Sequence, residues 1–194
     1  PDTRQWVSST SALGGPELEK AAKETGSPEL ANMLQWSLAV NAMIAKKVKN
    51  VPPYKFVRES FEKIARNSDV ICVSQTPAEA LVREWDENGL TKYLAVIAGQ
   101  ELGTKTEHIA MASRGKYAPD KVMMVGDAPG DRKAARDNRA LFYPINPGHE
   151  DASWERFHTE AYDRFLAGTY AGKYEEHRIA EFDSLLPETP AWKK

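Results

Sequence analysis

The chain holds 194 residues, of which 41 % are hydrophobic and 28 % charged, enough apolar material for a core of ordinary size. Lys and Arg number 26 against 28 Asp and Glu, a net charge of -2, so no global field recommends nucleic acid or an anionic membrane as a partner. No apolar run approaches the roughly 20 residues that a bilayer span needs, and the single cysteine, Cys72, cannot close an internal disulfide, which points to a reducing, cytoplasmic setting.

The first fifty residues carry a helical pattern without strands. After a turn-rich stretch over 11–15, Pro16 suits the first turn of a helix over 17–25. Gly26-Ser27-Pro28 ends it and starts a second over 29–48. Its apolar positions Leu30, Met33, Leu34, Leu38, Ala42 and Ala45 recur at helical steps, widened by Trp36, Val40, Met43 and Ile44. That pattern predicts an amphipathic or largely buried helix, with packing the simpler role for its Met and Trp. Val51-Pro52-Pro53 then breaks the chain.

From residue 54 the rhythm becomes alternating. Helices are predicted over 54–66, 77–88, 104–113 and 132–137, and strands over 69–73, 93–98, 121–125 and 140–145. The run Asp69-Val70-Ile71-Cys72-Val73 is nearly continuous and apolar, the pattern of a strand covered on both faces, and Cys72 inside it reads as core. Strands separated by helices imply a parallel α/β sheet with Rossmann-like crossovers. Residues 150–194 return to helix, with Trp154, Phe157, Tyr162, Phe165, Tyr170 and Tyr174 reading as packing residues, a loop over 187–190 and a Lys193-Lys194 tail. The expected organisation is an N-terminal helical segment over 1–53, an α/β core over 54–149 and a helical extension over 150–194.

Ligands of an open parallel sheet bind at the carboxyl ends of its strands. After Val73 comes Ser74-Gln75-Thr76-Pro77, a hydroxyl followed by a helix N-terminus, which is a phosphate cradle in outline and an ordinary cap at its plainest. After the third strand comes Gly126-Asp127-Ala128-Pro129-Gly130-Asp131, two carboxylates on a tight turn that can converge on a hard cation such as Mg²⁺. Helix capping explains Asp131 well. It explains poorly why the apolar run Val122-Met123-Met124-Val125 should end in Gly126 and the charge of Asp127. Lys105, where the loop after the second strand enters a helix, is placed to reach a phosphate or hold a carboxylate ionised, although a solvated lysine is the plain alternative. The histidines, His108, His149, His158 and His177, show no metal-ligand spacing and read as structural or exposed.

In this order, Ser74, Lys105 and Gly126-Asp127-x-x-x-Asp131 resemble the second, third and fourth motifs of the haloacid dehalogenase-like hydrolases, over roughly residues 54–147. The resemblance implies a Rossmann-like parallel sheet, with residues 1–53 as all or part of a cap. It also implies a Mg²⁺-dependent phosphatase acting on a small phosphorylated metabolite through an aspartyl-phosphate. Ser74 and Gln75 would hold phosphoryl oxygens, Lys105 would bind phosphate and stabilise charge, and Asp127 with Asp131 would anchor the metal.

The family's first motif, Asp-x-Asp at the end of a central strand, is missing: no Asp-x-Asp occurs in the chain, and Asp2 follows no strand. Together with a first residue Pro1 and no signal-peptide pattern, this leads to the expectation that the polypeptide starts partway through a longer protein. A separate segment or chain would then supply the nucleophile strand. The rival reading is a non-catalytic module of the same fold. Dehalogenation does not need the acidic pair, and for phosphonate cleavage Lys46, Lys47 and Lys49 are candidates by location alone.

Overall fold

Proline early and glycine late set out the first helices. The computed structural model describes residues 2–10, 14–187 and 193. Pro16 and Pro28 occupy the opening turns of α2 (Gly15–Thr25) and α3 (Pro28–Lys47), where their missing N–H groups cost nothing. Gly26, left-handed at φ 63°, closes α2 by donating its N–H to Ala22, and Ser27 caps α3 by accepting from the Leu30 N–H. Together with α1 (Asp2–Ser9) these helices form a compact unit over residues 1–49. Its core is Trp6, Leu18 and Leu30.

The structure departs from the expected burial of α3. Trp36 is 67 % exposed, and Leu38, Met43 and Ile44 are exposed as well. The reason is length: α2 has 11 residues and α3 has 20, so α2 packs along the N-terminal part of α3 and leaves its far half bare. Parts of the expected 11–15 turn and 187–190 loop, together with Lys194 and the Ala45 side chain, lie outside the described residues.

Residues 50–194 form the second unit. Its elements alternate as the sequence predicts: α4 (Val57–Ile64), β1 (Ile71–Val73), α5 (Ala78–Glu87), β2 (Val96–Ala98), α6 (Lys105–Ser113), β3 (Met123–Gly126), α7 (Pro129–Asp137) and β4 (Leu141–Pro144). The C-terminal helices α8 (Glu150–Arg156), α9 (Tyr162–Leu166) and α10 (Lys173–Ser184) belong to the same unit, with a π-helical turn, Phe157–Ala161, joining α8 to α9. No helix among the described residues is long and apolar enough to cross a membrane.

The strands pair in parallel, and they do so in two separate ladders. β1 pairs with β2 in the register Ile71↔Val96, Cys72↔Ile97 and Val73↔Ala98. β3 pairs with β4 from Met123↔Leu141 to Gly126↔Pro144. Among the described residues no ladder joins β1 to β3.

The two pairs are packed differently. Phe142 and Tyr143 of β4 are fully buried, between a cluster holding Phe157, Tyr162 and Tyr170 on one side and one holding Ile109, Ala134 and Phe182 on the other. Tyr170 and Tyr143 donate their hydroxyls to the carbonyls of Phe142 (2.8 Å) and Ser153 (2.6 Å). β1, expected to be covered on both faces, is only half-buried along its length. Its inner edge borders a cavity of about 1200 Å³ that β3 borders from the other side.

Candidate active site

Each side chain singled out by the sequence stands where a strand hands over to a helix. β1 ends at Ser74, whose N–H donates to the Ala98 carbonyl at 3.0 Å and completes the ladder with β2. The Ser74 hydroxyl accepts from the Thr76 N–H at 3.1 Å, and the Gln75 side-chain amide donates to the Gly103 carbonyl at 3.1 Å. That bond ties the loop after β1 to the loop after β2. Ser74 is half-buried and Gln75 exposed.

The start of α6 is set by a capping box. Thr104 Oγ1 accepts from the Glu107 N–H at 3.3 Å, and the Glu107 carboxylate accepts from the Thr104 N–H at 2.8 Å. The Thr104 N–H and the Thr104 hydroxyl, which also donates to the carboxylate, hold the Glu107 carboxyl below its usual range. Gly103 precedes the cap at φ 122°, a conformation that favours glycine. Lys105 thereby becomes the first residue of the helix.

From there the Lys105 Nζ forms an ion pair with Asp131 Oδ1. Asp131 is 2 % exposed, and its other oxygen accepts from the N–H groups of Asp127 and Ala128, both at 3.1 Å. A buried carboxylate is tolerable only with such company. Gly126 makes the arrangement possible, since a Cβ there would stand 2.6 Å from the Cβ of Asp131.

Asp127 differs in every respect. It is exposed, and its carboxylate has no hydrogen-bond or ion-pair partner among the described residues. Lys105 also acts on the strand β1. Burial pushes the Cys72 thiol on β1 from 9.0 up to about 11, and the positive charge of Lys105 is the opposing influence.

The structure thus joins the sequence-selected residues in a chain of contacts: Gln75 to Gly103, Lys105 to Asp131, and Asp131 to the Asp127 backbone. Two site residues had no such signal. Gly99 lets the loop after β2 lie against α5, because a Cβ there would stand 2.6 Å from the Ala78 nitrogen. Glu101 follows, and its carboxylate accepts the Ala78 N–H at 3.1 Å. The helix start offered by sequence as part of a phosphate cradle therefore already holds an internal anion at Ala78. Ser74, Gln75 and Lys105 remain on the open side.

The donor set suits a hard cation in part. Asp127 offers a free carboxylate, whereas both oxygens of Asp131 are engaged, and no group of three His, Cys, Asp or Glu side chains among the described residues is placed to hold a metal. Mg²⁺ accepts one or two protein carboxylates and fills its remaining positions with water and phosphate oxygens. Asp127 alone of this pair fits as a direct ligand, with Asp131 fixing the turn behind it.

Neither the curated proteins nor the solved structures yield a significant match to the chain. A family model described as haloacid dehalogenase-like hydrolase matches residues 4–142, beginning among the N-terminal helices and running through β3 and α7 into β4. That match covers well over half of the chain and takes in each residue of the site, and the chain belongs to the haloacid dehalogenase-like hydrolase family.

Proposed function

We propose that this chain supplies the phosphate- and cation-binding part of a Mg²⁺-dependent phosphatase acting on a small phosphorylated metabolite, with the nucleophilic carboxylate arriving from outside these residues. The observation that carries it is the pairing of opposites after β3: a buried, fully engaged Asp131 beside an exposed, partnerless Asp127. A solvated turn has no need to bury one acid so that a lysine and its neighbour are held in place.

In this reading Ser74 donates its hydroxyl proton to a phosphoryl oxygen, and the exposed Gln75 lines the same entrance. Lys105, oriented by Asp131, offers positive charge where negative charge grows on the transferring group. Asp127 holds the metal, and Mg²⁺ when bound draws charge from the phosphoryl oxygens. The bond-making carboxylate is not among the residues of this chain, so the chain alone turns over no substrate.

One observation favours the non-catalytic alternative: Glu101 sits on the Ala78 N–H, so part of the anion cradle is filled from within. Turnover separates the two. A polypeptide that unites these residues with an Asp-x-Asp strand should hydrolyse phosphomonoesters only with Mg²⁺. Asp127→Asn should abolish that turnover, and Lys105→Ala should lower it about a hundredfold or more. Wild-type rates in Asp127→Asn would overturn the metal role, and absence of any turnover across a phosphomonoester panel would favour the non-catalytic module.

A further inference from the structure

The far half of α3 is apolar and open to solvent, with Trp36 67 % and Met43 54 % exposed. From Leu30 to Ala45 the sequence carries no charge; Glu29 stands before that stretch and Lys46, Lys47 and Lys49 after it. Along α3, Glu29, Met33, Trp36, Val40, Met43 and Lys47 follow one another in alternating steps of four and three. At 100° per residue they lie within about 80° of one another, which makes them one seam of the kind that packs on a second helix. Met33 and Val40 are half-buried, Met33 against the core of its own unit, and the other four are exposed.

Reversed, this seam is complementary to itself. In an antiparallel pair of copies centred on Leu38, Trp36 of one copy meets Val40 of the other. Met33 then meets Met43, and Glu29 meets Lys47, each pair occurring twice. Lys47 has no ion-pair partner among the described residues. Bonds from the Thr3 side chain and the Asp2 N–H hold the Glu29 carboxyl below its usual range, and a carboxylate has acceptor sites for a further donor. A parallel pair would set the lysine ends side by side and align the helix dipoles, and the antiparallel pair avoids both.

We propose that α3 pairs through this seam with α3 of a second copy of the chain, antiparallel and two-fold symmetric. Any apolar partner would cover Trp36 and Met43; a second copy also matches both charged ends. Trp36 and the five smaller seam side chains would hide on the order of 500 Å² per copy, about 1,000 Å² for the pair, where specific but transient contacts lie. A Kd on the order of 10 μM suits a contact of that size.

Sedimentation of the 194-residue chain from about 1 to about 200 μM should show the dimer forming across that range. Trp36→Ser, at an exposed position, should weaken the dimer about tenfold or more with unchanged helicity by circular dichroism. Glu29→Lys and Lys47→Glu should each weaken self-association about tenfold, because each sets like charges opposite one another. An equimolar mixture of these two variants should associate as tightly as the wild type, since every end of the seam then pairs a lysine with a glutamate. Lys47→Glu and Trp36→Ser leave the bond from the Asp2 N–H to Glu29 in place and test the pairing by themselves.

A chain that stays monomeric throughout would overturn the pairing and leave the seam to a segment outside these residues. A dimer indifferent to Trp36→Ser would place the interface on another face and overturn it too. One indifferent to Lys47→Glu, or two charge variants that gain nothing on mixing, would overturn the antiparallel register. No readout involves turnover, so the result is independent of the phosphatase reading.

Discussion

The β3–β4 pair and the β1–β2 pair are built from the same kind of sequence, short apolar runs between helices, yet they reach different states. β4 is covered on both faces, with Tyr143 1 % exposed and its neighbours' backbone bonded by buried tyrosine hydroxyls. β1 also lies in a continuous apolar run, Val70 to Val73, and is only half-buried. Strand burial is thus set by what packs on the strand and less by how apolar it is. The site inherits the contrast: after β3 the groups are locked in a buried ion pair, and after β1 they stand on an open rim.

If the locked half is as described, Asp131→Ala should be the most damaging single change. It leaves two backbone N–H groups without their acceptor and Lys105 without its counter-ion, and such losses cost about 3 kcal/mol or more. Urea unfolding measures it, and a loss below about 1 kcal/mol would erase the distinction between the halves.

The open half is sharpened by pH. A Cys72 thiol raised by burial to about 11 is the neutral form through the physiological range. Its thiolate fraction near neutral pH is then about a hundredfold below that of a thiol titrating at 9.0. The alkylation rate should climb with pH until about 11 is passed. A plateau near 9 would show β1 to be more open than its packing indicates.

The smallest effect belongs to Ser74→Ala. It removes one acceptor from the Thr76 N–H at a half-exposed turn, where water substitutes, so stability should fall by less than about 1 kcal/mol. A larger loss would place Ser74 in the locked half.

Much of this was legible before the fold was known. Gly26-Ser27-Pro28 marks the end of one helix and the start of the next, and Gly126-Asp127-x-x-x-Asp131 marks an acidic turn after a strand. These signals are local, because a cap or a turn is made within a few residues by groups that the backbone itself brings together. Glu101 reaching Ala78 was not legible: the two lie 23 residues apart, and nothing near either one announces the other. The bareness of α3 was equally hidden, since its apolar stripe is the same whether or not a neighbour is long enough to cover it.

By itself, then, the sequence determined the alternation of helices and strands, the parallel sense of the pairs and the position of each candidate residue at a strand end. Periodicity, caps and crossover length are short-range properties, and they decide those features. The tertiary structure set the strands in two ladders, β1 with β2 and β3 with β4, where the resemblance had already implied a missing central strand. It alone decided that Asp131 is buried with Lys105 while Asp127 stays free. Both depend on which surfaces meet across long sequence separations, where close packing and the satisfaction of buried polar groups choose among arrangements that local pattern leaves equal.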